Sequence, residues 1–268
     1  MTTIIDLNAD LGESPEALAN GADLELMRYI TSANVACGGH AGDENTMTET
    51  IRAAKELDVA IGAHPSYPDR ENFGRAQSPL PAAALESSVR KQILSLAAVV
   101  ERVGMRLVHV KPHGALYHAS SKHREIALAV GRAVQAVDSH LIMVGQAGSA
   151  ALGFWRELGL CCAAEAFADR TYERDGTLRQ RTLPGALLDT PERAAQQALD
   201  IVFRHAVRTS DGIETPLVAN TICIHSDTPG AAAIAREVNY RLKAADVQLR
   251  ALSLQGIVAR KAQRQEET

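Results

Sequence analysis

Five short apolar runs in this 268-residue chain end abruptly in His, Asp, Asn or Lys. They are Ile4-Ile5-Asp6-Leu7-Asn8-Ala9-Asp10, Asn34-Val35-Ala36-Cys37-Gly38-Gly39-His40, Ala60-Ile61-Gly62-Ala63-His64, Leu107-Val108-His109-Val110-Lys111-Pro112-His113 and Thr221-Ile222-Cys223-Ile224-His225-Ser226-Asp227. A single His at such a place is more often structural than catalytic. Four of them, His40, His64, His113 and His225, reverse those odds, because imidazoles titrate near neutrality and act as proton carriers or neutral metal ligands. Asp10 requires a His, a Lys or a cation beside it if it is enclosed, and reads as a general base or a metal ligand. Lys111 is one of six lysines. It is either ion-paired to Asp10 or Glu165, or a clamp for an anionic substrate or a charged oxygen, and its place beside His113 favours the clamp. Arg170, closing Phe167-Ala168-Asp169-Arg170, could fork onto a carboxylate or pair with Asp169 or Glu173. Glu13 reads as a solvated loop charge or a helix cap, and His109 as a core histidine. The Asp and His groups also suit a divalent cation, with Asp10, His40, His64 and His225 as the candidates.

The elements that would position these groups alternate. Apolar runs of this kind read as buried parallel strands, whose carboxyl ends carry the active site in parallel α/β folds. Further strands are expected over Leu141 to Val144 and Cys161 to Phe167. Helices are expected over Ala22 to Ile30, Asp43 to Leu57, Pro81 to Gly104, Lys122 to Val137, Ala150 to Leu158 and from Thr190 to about Val207, with two more helical stretches finishing the chain. The Pro/Gly-marked segment 65–75 reads as a loop covering the substrate and contains Arg75. Alternation of period two sets Ile5 and Leu7 against Asp6, Asn8 and Asp10, Val108 and Val110 against His109, Lys111 and His113, and Ile222 and Ile224 against Thr221, Cys223, His225 and Asp227. One aliphatic and one polar face favours a barrel over a doubly wound sheet, which wants both faces apolar. The expected architecture is one domain over residues 1–268, a seven-stranded parallel (β/α) barrel, TIM-like, whose closure the sequence leaves open.

Composition narrows the function classes. With 46% hydrophobic and only 4% aromatic residues, the core must be aliphatic. A net charge of −4, from 28 basic and 32 acidic residues spread along the chain, carries no nucleic-acid footprint. No apolar run of about 18 residues exists for a membrane span. The first strand begins too early for a signal peptide, and the four cysteines form no C-x-x-C, so a cytoplasmic setting is expected. There is no phosphate loop, no dinucleotide fingerprint and no nucleophile elbow.

Six ordered stretches between residues 6 and 230 carry a resemblance: Asp6-Leu7-Asn8-Ala9-Asp10-Leu11-Gly12-Glu13, residues 34–43 through Gly38-Gly39-His40, Ile61-Gly62-Ala63-His64-Pro65-Ser66-Tyr67-Pro68-Asp69, Lys111-Pro112-His113-Gly114-Ala115-Leu116-Tyr117, Phe167-Ala168-Asp169-Arg170 and His225-Ser226-Asp227-Thr228-Pro229-Gly230. Together they resemble the 5-oxoprolinase A-subunit family, also called lactam utilisation proteins. The chain departs from that family's usual pattern at Gly39, Ser226 and His118, where Phe or another residue, Gly and Asn respectively are usual. The resemblance implies a barrel related to sugar and peptidoglycan deacetylases, and ATP-dependent opening of 5-oxoproline to L-glutamate with partner subunits B and C. ATP would be a co-substrate. For that reaction Asp10 with His40 or His64 would activate water. Lys111 and His113 would stabilise the oxyanion or phosphate. Arg170 or Arg75 would hold the substrate carboxylate, with Asn8, Asp169 and His225 also on the substrate side. Two other classes compete: a metal-dependent deacetylase or amidohydrolase acting alone, and a non-catalytic binding barrel.

Overall fold

The alternation in the first strand, β1 (Ile4–Leu11), is realised as expected: Ile5, Leu7, Ala9 and Leu11 are buried on one side, and Asp6, Asn8 and Asp10 on the other. The structure, a computed structural model, describes residues 3–257. After β1 come α1 (Pro15–Ala19), α2 (Ala22–Met27), β2 (Ser32–Ala36), α3 (Glu44–Glu56), β3 (Ala60–His64), α4 (Ala82–Val103) and β4 (Leu107–Val110). Then follow α5 (Gly114–Lys122), α6 (Arg124–Gln135), β5 (Ile142–Gln146), α7 (Ala150–Glu157), β6 (Cys162–Phe167) and α8 (Pro191–Leu199). A hairpin of β7 (Ala206–Arg208) and β8 (Glu214–Pro216) precedes β9 (Thr221–Cys223), α9 (Ala231–Ala244) and the short β10 (Gln248–Leu249).

Seven parallel strands pair in the order β1-β2-β3-β4-β5-β6-β9, and β9 returns to β1 through Asp6↔Thr221, Leu7↔Ile222 and Asn8↔Cys223. The barrel is therefore closed, which settles the closure that the sequence left open. β10 adds to β1 outside that ring. The helices pack on the aliphatic outer face. α3 starts with a capping box, in which Asp43 accepts from the Thr46 N–H and Thr46 accepts from the Asp43 N–H, and buries Met47, Ile51 and Ala54. α4 buries Leu85, Val89, Ile93, Leu96 and Val100, and stops at the left-handed Gly104.

Inside the ring the β1 side is polar. Hydroxyls of Thr31, Ser32 and Thr221 donate to the Asp6 carboxylate. Asn8 Nδ2 donates to Thr221 Oγ1 (2.7 Å), and Asn34 Nδ2 donates to Asn8 Oδ1 (2.7 Å) and Asp10 Oδ1 (2.8 Å). His109, expected as a core histidine, donates from Nε2 to Asn34 Oδ1 at 2.7 Å. Its ring occupies the space beside Gly62: a Cβ there would lie 2.0 Å from His109 Nε2, so β3 needs glycine at this point. On the opposite side Ile142, Val144 and Ala163 pack with Leu252, and Leu254 leans on the same cluster.

Three helix expectations differ from the structure. The helix expected over Lys122 to Val137 is α6 and starts two residues later, because His123 adopts an extended conformation (φ −122°, ψ 109°), and α5, which precedes it, has no counterpart among the expected helices. The helix expected to reach Val207 stops earlier. It loosens into a π-helical turn at Asp200–Arg204, His205 turns left-handed (φ +51°), and Val207 pairs in the β7–β8 hairpin. Of the two final stretches, α9 is present and the second is a single turn over 254–257, where the described residues end. Among the described residues no helix is long and apolar enough to cross a membrane.

Candidate active site

Asp10 of β1, His64 of β3 and Gln146 of β5, with Lys111 and His225 just past β4 and β9, line a cavity of about 1250 Å³ at the carboxyl ends of the strands. At its base Lys111 Nζ donates to Asp10 Oδ1 (2.8 Å) and lies 3.0 Å from Glu165 Oε1 and 3.2 Å from Cys223 Sγ. The Tyr117 hydroxyl donates to the other Glu165 oxygen at 2.7 Å. Burial alone would discharge the ammonium, but Asp10, the Cys223 sulfur and Glu165 outweigh it and hold Lys111 well above its usual pKa. Burial likewise works against the Asp10 charge, and His64 and Lys111 overcome it, so Asp10 stays ionised well below the usual carboxylate range. Of the two expectations for Lys111, the ion pair is present, to both Asp10 and Glu165, and the residue also lines the cavity.

Beside this group sits a histidine cluster whose tautomers follow from its acceptors. His64 Nδ1 donates to the Lys111 carbonyl (2.8 Å) and His113 Nε2 donates to the Phe73 carbonyl (3.0 Å). His64 Nε2 and His113 Nδ1 are thereby turned toward each other at 2.9 Å. Glu13 Oε1 lies 3.2 Å from His113 Nδ1, 3.8 Å from His64 Nε2 and 2.9 Å from His40 Nε2. Burial pushes the His40 and His113 imidazoles far down, so both are neutral. Burial and the Asp10 charge push the Glu13 carboxyl up, to about 7. A neutral His113 whose N–H is taken by Phe73 has no donor left for an oxyanion, the role expected for it from sequence.

On the other flank Asp169, fully buried, accepts from His225 Nδ1 (3.1 Å), from the His225 backbone N–H (3.2 Å) and from the Thr228 hydroxyl. Burial opposes its charge, but His225 and these hydrogen bonds hold it below the usual carboxylate range. The His225 ring stacks on Phe167 with centroids 5.1 Å apart. Arg170, also buried, donates to the Ala186 and Arg179 carbonyls and keeps a face on the cavity. At the mouth Asp227 joins Arg75 (2.6 Å) and Arg181 (2.7 Å).

Of the residues chosen from sequence, Asp10, His64, Lys111, His113, Arg75, Arg170 and His225 line the cavity. Asn8, His40 and Asp169 do not reach its wall, and instead position Asn34, Glu13 and His225 through the bonds given above. The metal candidates split: His40 and His64 group with Glu13 and His113, while Asp10 and His225 group with Cys223. Glu13 is the main residue that sequence reasoning undervalued. Gly12, left-handed at φ +69°, ends the strand, and the chain then places Glu13 among the histidines. No periodicity shows that. Glu165 and Tyr117 were legible in part, since a lone Glu inside the apolar run of β6 falls on the inner parity. The departures also have places: His118 and Ser226 line the cavity, and Gly39 lies under Ser66 and Gln92, whose polar ends would be 2.4 Å from a Cβ.

A profile of the LamB/YcsF family matches residues 5–256. The chain is 49% identical over 246 residues to the 5-oxoprolinase A-subunit of Chloroflexus aggregans, covering 92% of this chain and 98% of that relative. It is 47% identical over 252 residues to the 5-oxoprolinase A-subunit of Methylococcus capsulatus, covering 94% and 97%. The crystal structure of a lactam utilization protein from Thermus thermophilus superposes with a TM-score of 0.88 at 42% identity, covering 93% of this chain and 100% of that one.

Proposed function

For a chain that belongs to the LamB/YcsF family, we propose the role of the A-subunit in an ATP-dependent 5-oxoprolinase, opening the 5-oxo-L-proline lactam to L-glutamate with partner subunits B and C. Relatives bearing that name support the lactam as substrate. The observation that carries the chemistry is the buried Asp10–Lys111–Glu165 group, whose Asp10 and Lys111 line one cavity with His225, itself held from behind by Asp169.

A lactam is a resonance-stabilised amide, so its opening requires an activated carbonyl, a delivered water and a proton for the departing nitrogen. ATP answers the first need by phosphorylating the lactam oxygen with release of ADP. Water then adds to the carbonyl carbon, the C–N bond breaks as nitrogen takes a proton, and hydrolysis of the resulting acyl phosphate releases phosphate and glutamate. In this reading Asp10 and His64, 3.4 Å apart, orient the water and accept its proton. Lys111 supplies positive charge beneath the oxygen. His225, its tautomer fixed by Asp169, delivers the proton to nitrogen. Arg170 holds the substrate carboxylate at the cavity wall. A cytoplasmic setting belongs to the same reading and is supported by four free cysteines.

The test is glutamate release from 5-oxoproline by this chain mixed with subunits B and C, with and without ATP. Release that needs both ATP and this chain is expected. ATP-independent hydrolysis by the chain alone would replace the proposal with the stand-alone hydrolase.

A further inference from the structure

We infer that Glu13, His64 and His113 form a binding site for one divalent metal ion of the zinc or cobalt type, with a fourth position open to the cavity. The first reason is the count of lone pairs. His64 and His113 each spend their only N–H on a backbone carbonyl, at 2.8 and 3.0 Å. Their remaining nitrogens, Nε2 and Nδ1, then point acceptor to acceptor across 2.9 Å, and Glu13 Oε1, a third acceptor, sits 3.2 Å from one and 3.8 Å from the other. With Glu13 ionised, as a metal ligand must be, three acceptors face one another in a buried pocket and repel unless positive charge, a metal ion or a proton, lies between them.

Dimensions are the second reason. Ligands bonded at about 2.0–2.1 Å in a tetrahedral site are separated from one another by about 3.3 Å. The three edges here, 2.9, 3.2 and 3.8 Å, bracket that spacing. The imidazole planes of His64 and His113 cross at 83°, so both in-plane lone pairs can meet at one point. The carbonyls of Lys111 and Phe73 supply the outer hydrogen bonds that fix metal-bound imidazoles.

His40 belongs beside this site and not in it. Its ring is stacked on His113 with centroids 3.7 Å apart and planes 4° from parallel, and one ion cannot lie in both ring planes. Its contribution is the Nε2–H donated to Glu13 Oε1 at 2.9 Å, which orients the carboxylate. The second group of potential ligands, Asp10, Cys223 and His225, is already committed. Asp10 and Cys223 share the Lys111 ammonium, and His225 Nδ1 is held by Asp169. All three ligands of the inferred site line the same cavity. A bound ion would place a Lewis acid and an acidified water beside Asp10. With the ion bound, both His64 nitrogens are used, so in the proposed reaction Asp10 alone would accept the proton of the water; ion binding itself is read without turnover.

The experiment is metal content of the full purified chain, stripped with chelator and then dialysed against zinc, alongside the visible spectrum of the cobalt(II) form. One zinc per chain and a cobalt band of four- or five-coordinate intensity are expected. Glu13→Gln should weaken zinc binding by at least tenfold and His113→Gln should abolish it, while His225→Asn leaves it unchanged. X-ray absorption of the zinc-loaded wild type should show two imidazoles, which keeps the site testable if a variant fails to fold. Retention below a tenth of an equivalent would overturn the inference in favour of a proton shared by His64 and His113. Loss of binding in His225→Asn with retention in His113→Gln would overturn it in favour of the other group.

Discussion

Replacing Lys111 by methionine keeps most of the side chain's volume and removes its charge. Asp10 and Glu165 then lie in the barrel interior with no ammonium 2.8 and 3.0 Å away. Breaking a buried ion pair from one side costs about 3–5 kcal/mol, because the remaining charge is left uncompensated. At about 2–4 °C per kcal/mol for a domain of this size class, the melting temperature at pH 8 should fall by about 6–20 °C. The sign of the pH dependence follows from the carboxylates. In the native chain His64 and Lys111 hold Asp10 low against its burial, whereas without Lys111 the buried carboxylates bind protons more tightly folded than unfolded. The variant's stability is then fullest in acid and declines as pH rises through those raised pKa values, by up to about 1.4 kcal/mol per unit for each proton. Urea denaturation of both proteins at pH 5.5 and pH 8 reads this directly. The deficit should be small at the lower pH and large at the higher, and adding Glu165→Gln should recover part of it. A variant as stable as wild type at pH 8, or a deficit independent of pH, would refute the buried-triad account.

Two further outcomes follow from the same geometry. Asp169→Asn should lower kcat of the reconstituted complex by about 10²–10⁴-fold with KM little changed, since the carboxylate orients His225 and does not line the cavity; a rise in KM alone would return Asp169 to substrate binding. Asp23, buried and accepting from the Gly12 N–H, has its carboxyl raised by burial from the usual 3.8 to about 6, so its contribution is full below the lower value and is lost as pH climbs through the upper one. Asp23→Asn keeps an acceptor for Gly12 without the charge and should gain at most about 3 kcal/mol on wild type at pH 8 and nothing at pH 4; parallel stability curves would sink this.

Strand identity and inner parity were legible in the sequence because they depend on local alternation. Asp6, Asn8 and Asp10 had to share a face, and that face could not be turned toward the aliphatic helices. The residues missed are those whose role depends on a turn or on a distant partner. Glu13 sits two residues beyond β1, after a left-handed glycine, where period-two reasoning has ended. Helix α5 went unread because it is only nine residues long and runs directly into α6, with neither Gly nor Pro at His123 to separate them. The β7–β8 hairpin was hidden because the helical pattern from Thr190 continues into the π-helical turn, and only the left-handed His205 ends it. Closure itself was invisible, because it rests on β9 meeting β1 across more than two hundred residues of sequence.

The polar half of the barrel interior is costly, and its organisation argues that it serves the site. An aliphatic filling would bury the same volume without the desolvation of Asp6, Asn8, Asn34 and His109. What the polar filling adds is direction. Hydroxyls fix Asp6, Asn8 and Asn34 pass hydrogen bonds from Thr221 to Asp10, and His109 spends its N–H on the Asn34 carbonyl, which turns the Asn34 amide hydrogens toward Asn8 and Asp10. Asp10 Oδ1 thus receives one hydrogen bond from Asn34 and one from Lys111, so the carboxylate plane is set and Oδ2 is presented to His64. A single aliphatic layer could not hold that oxygen. The glycine at position 62 belongs to the same device, because it gives up a side chain in β3 so that His109 can reach across and set the amide.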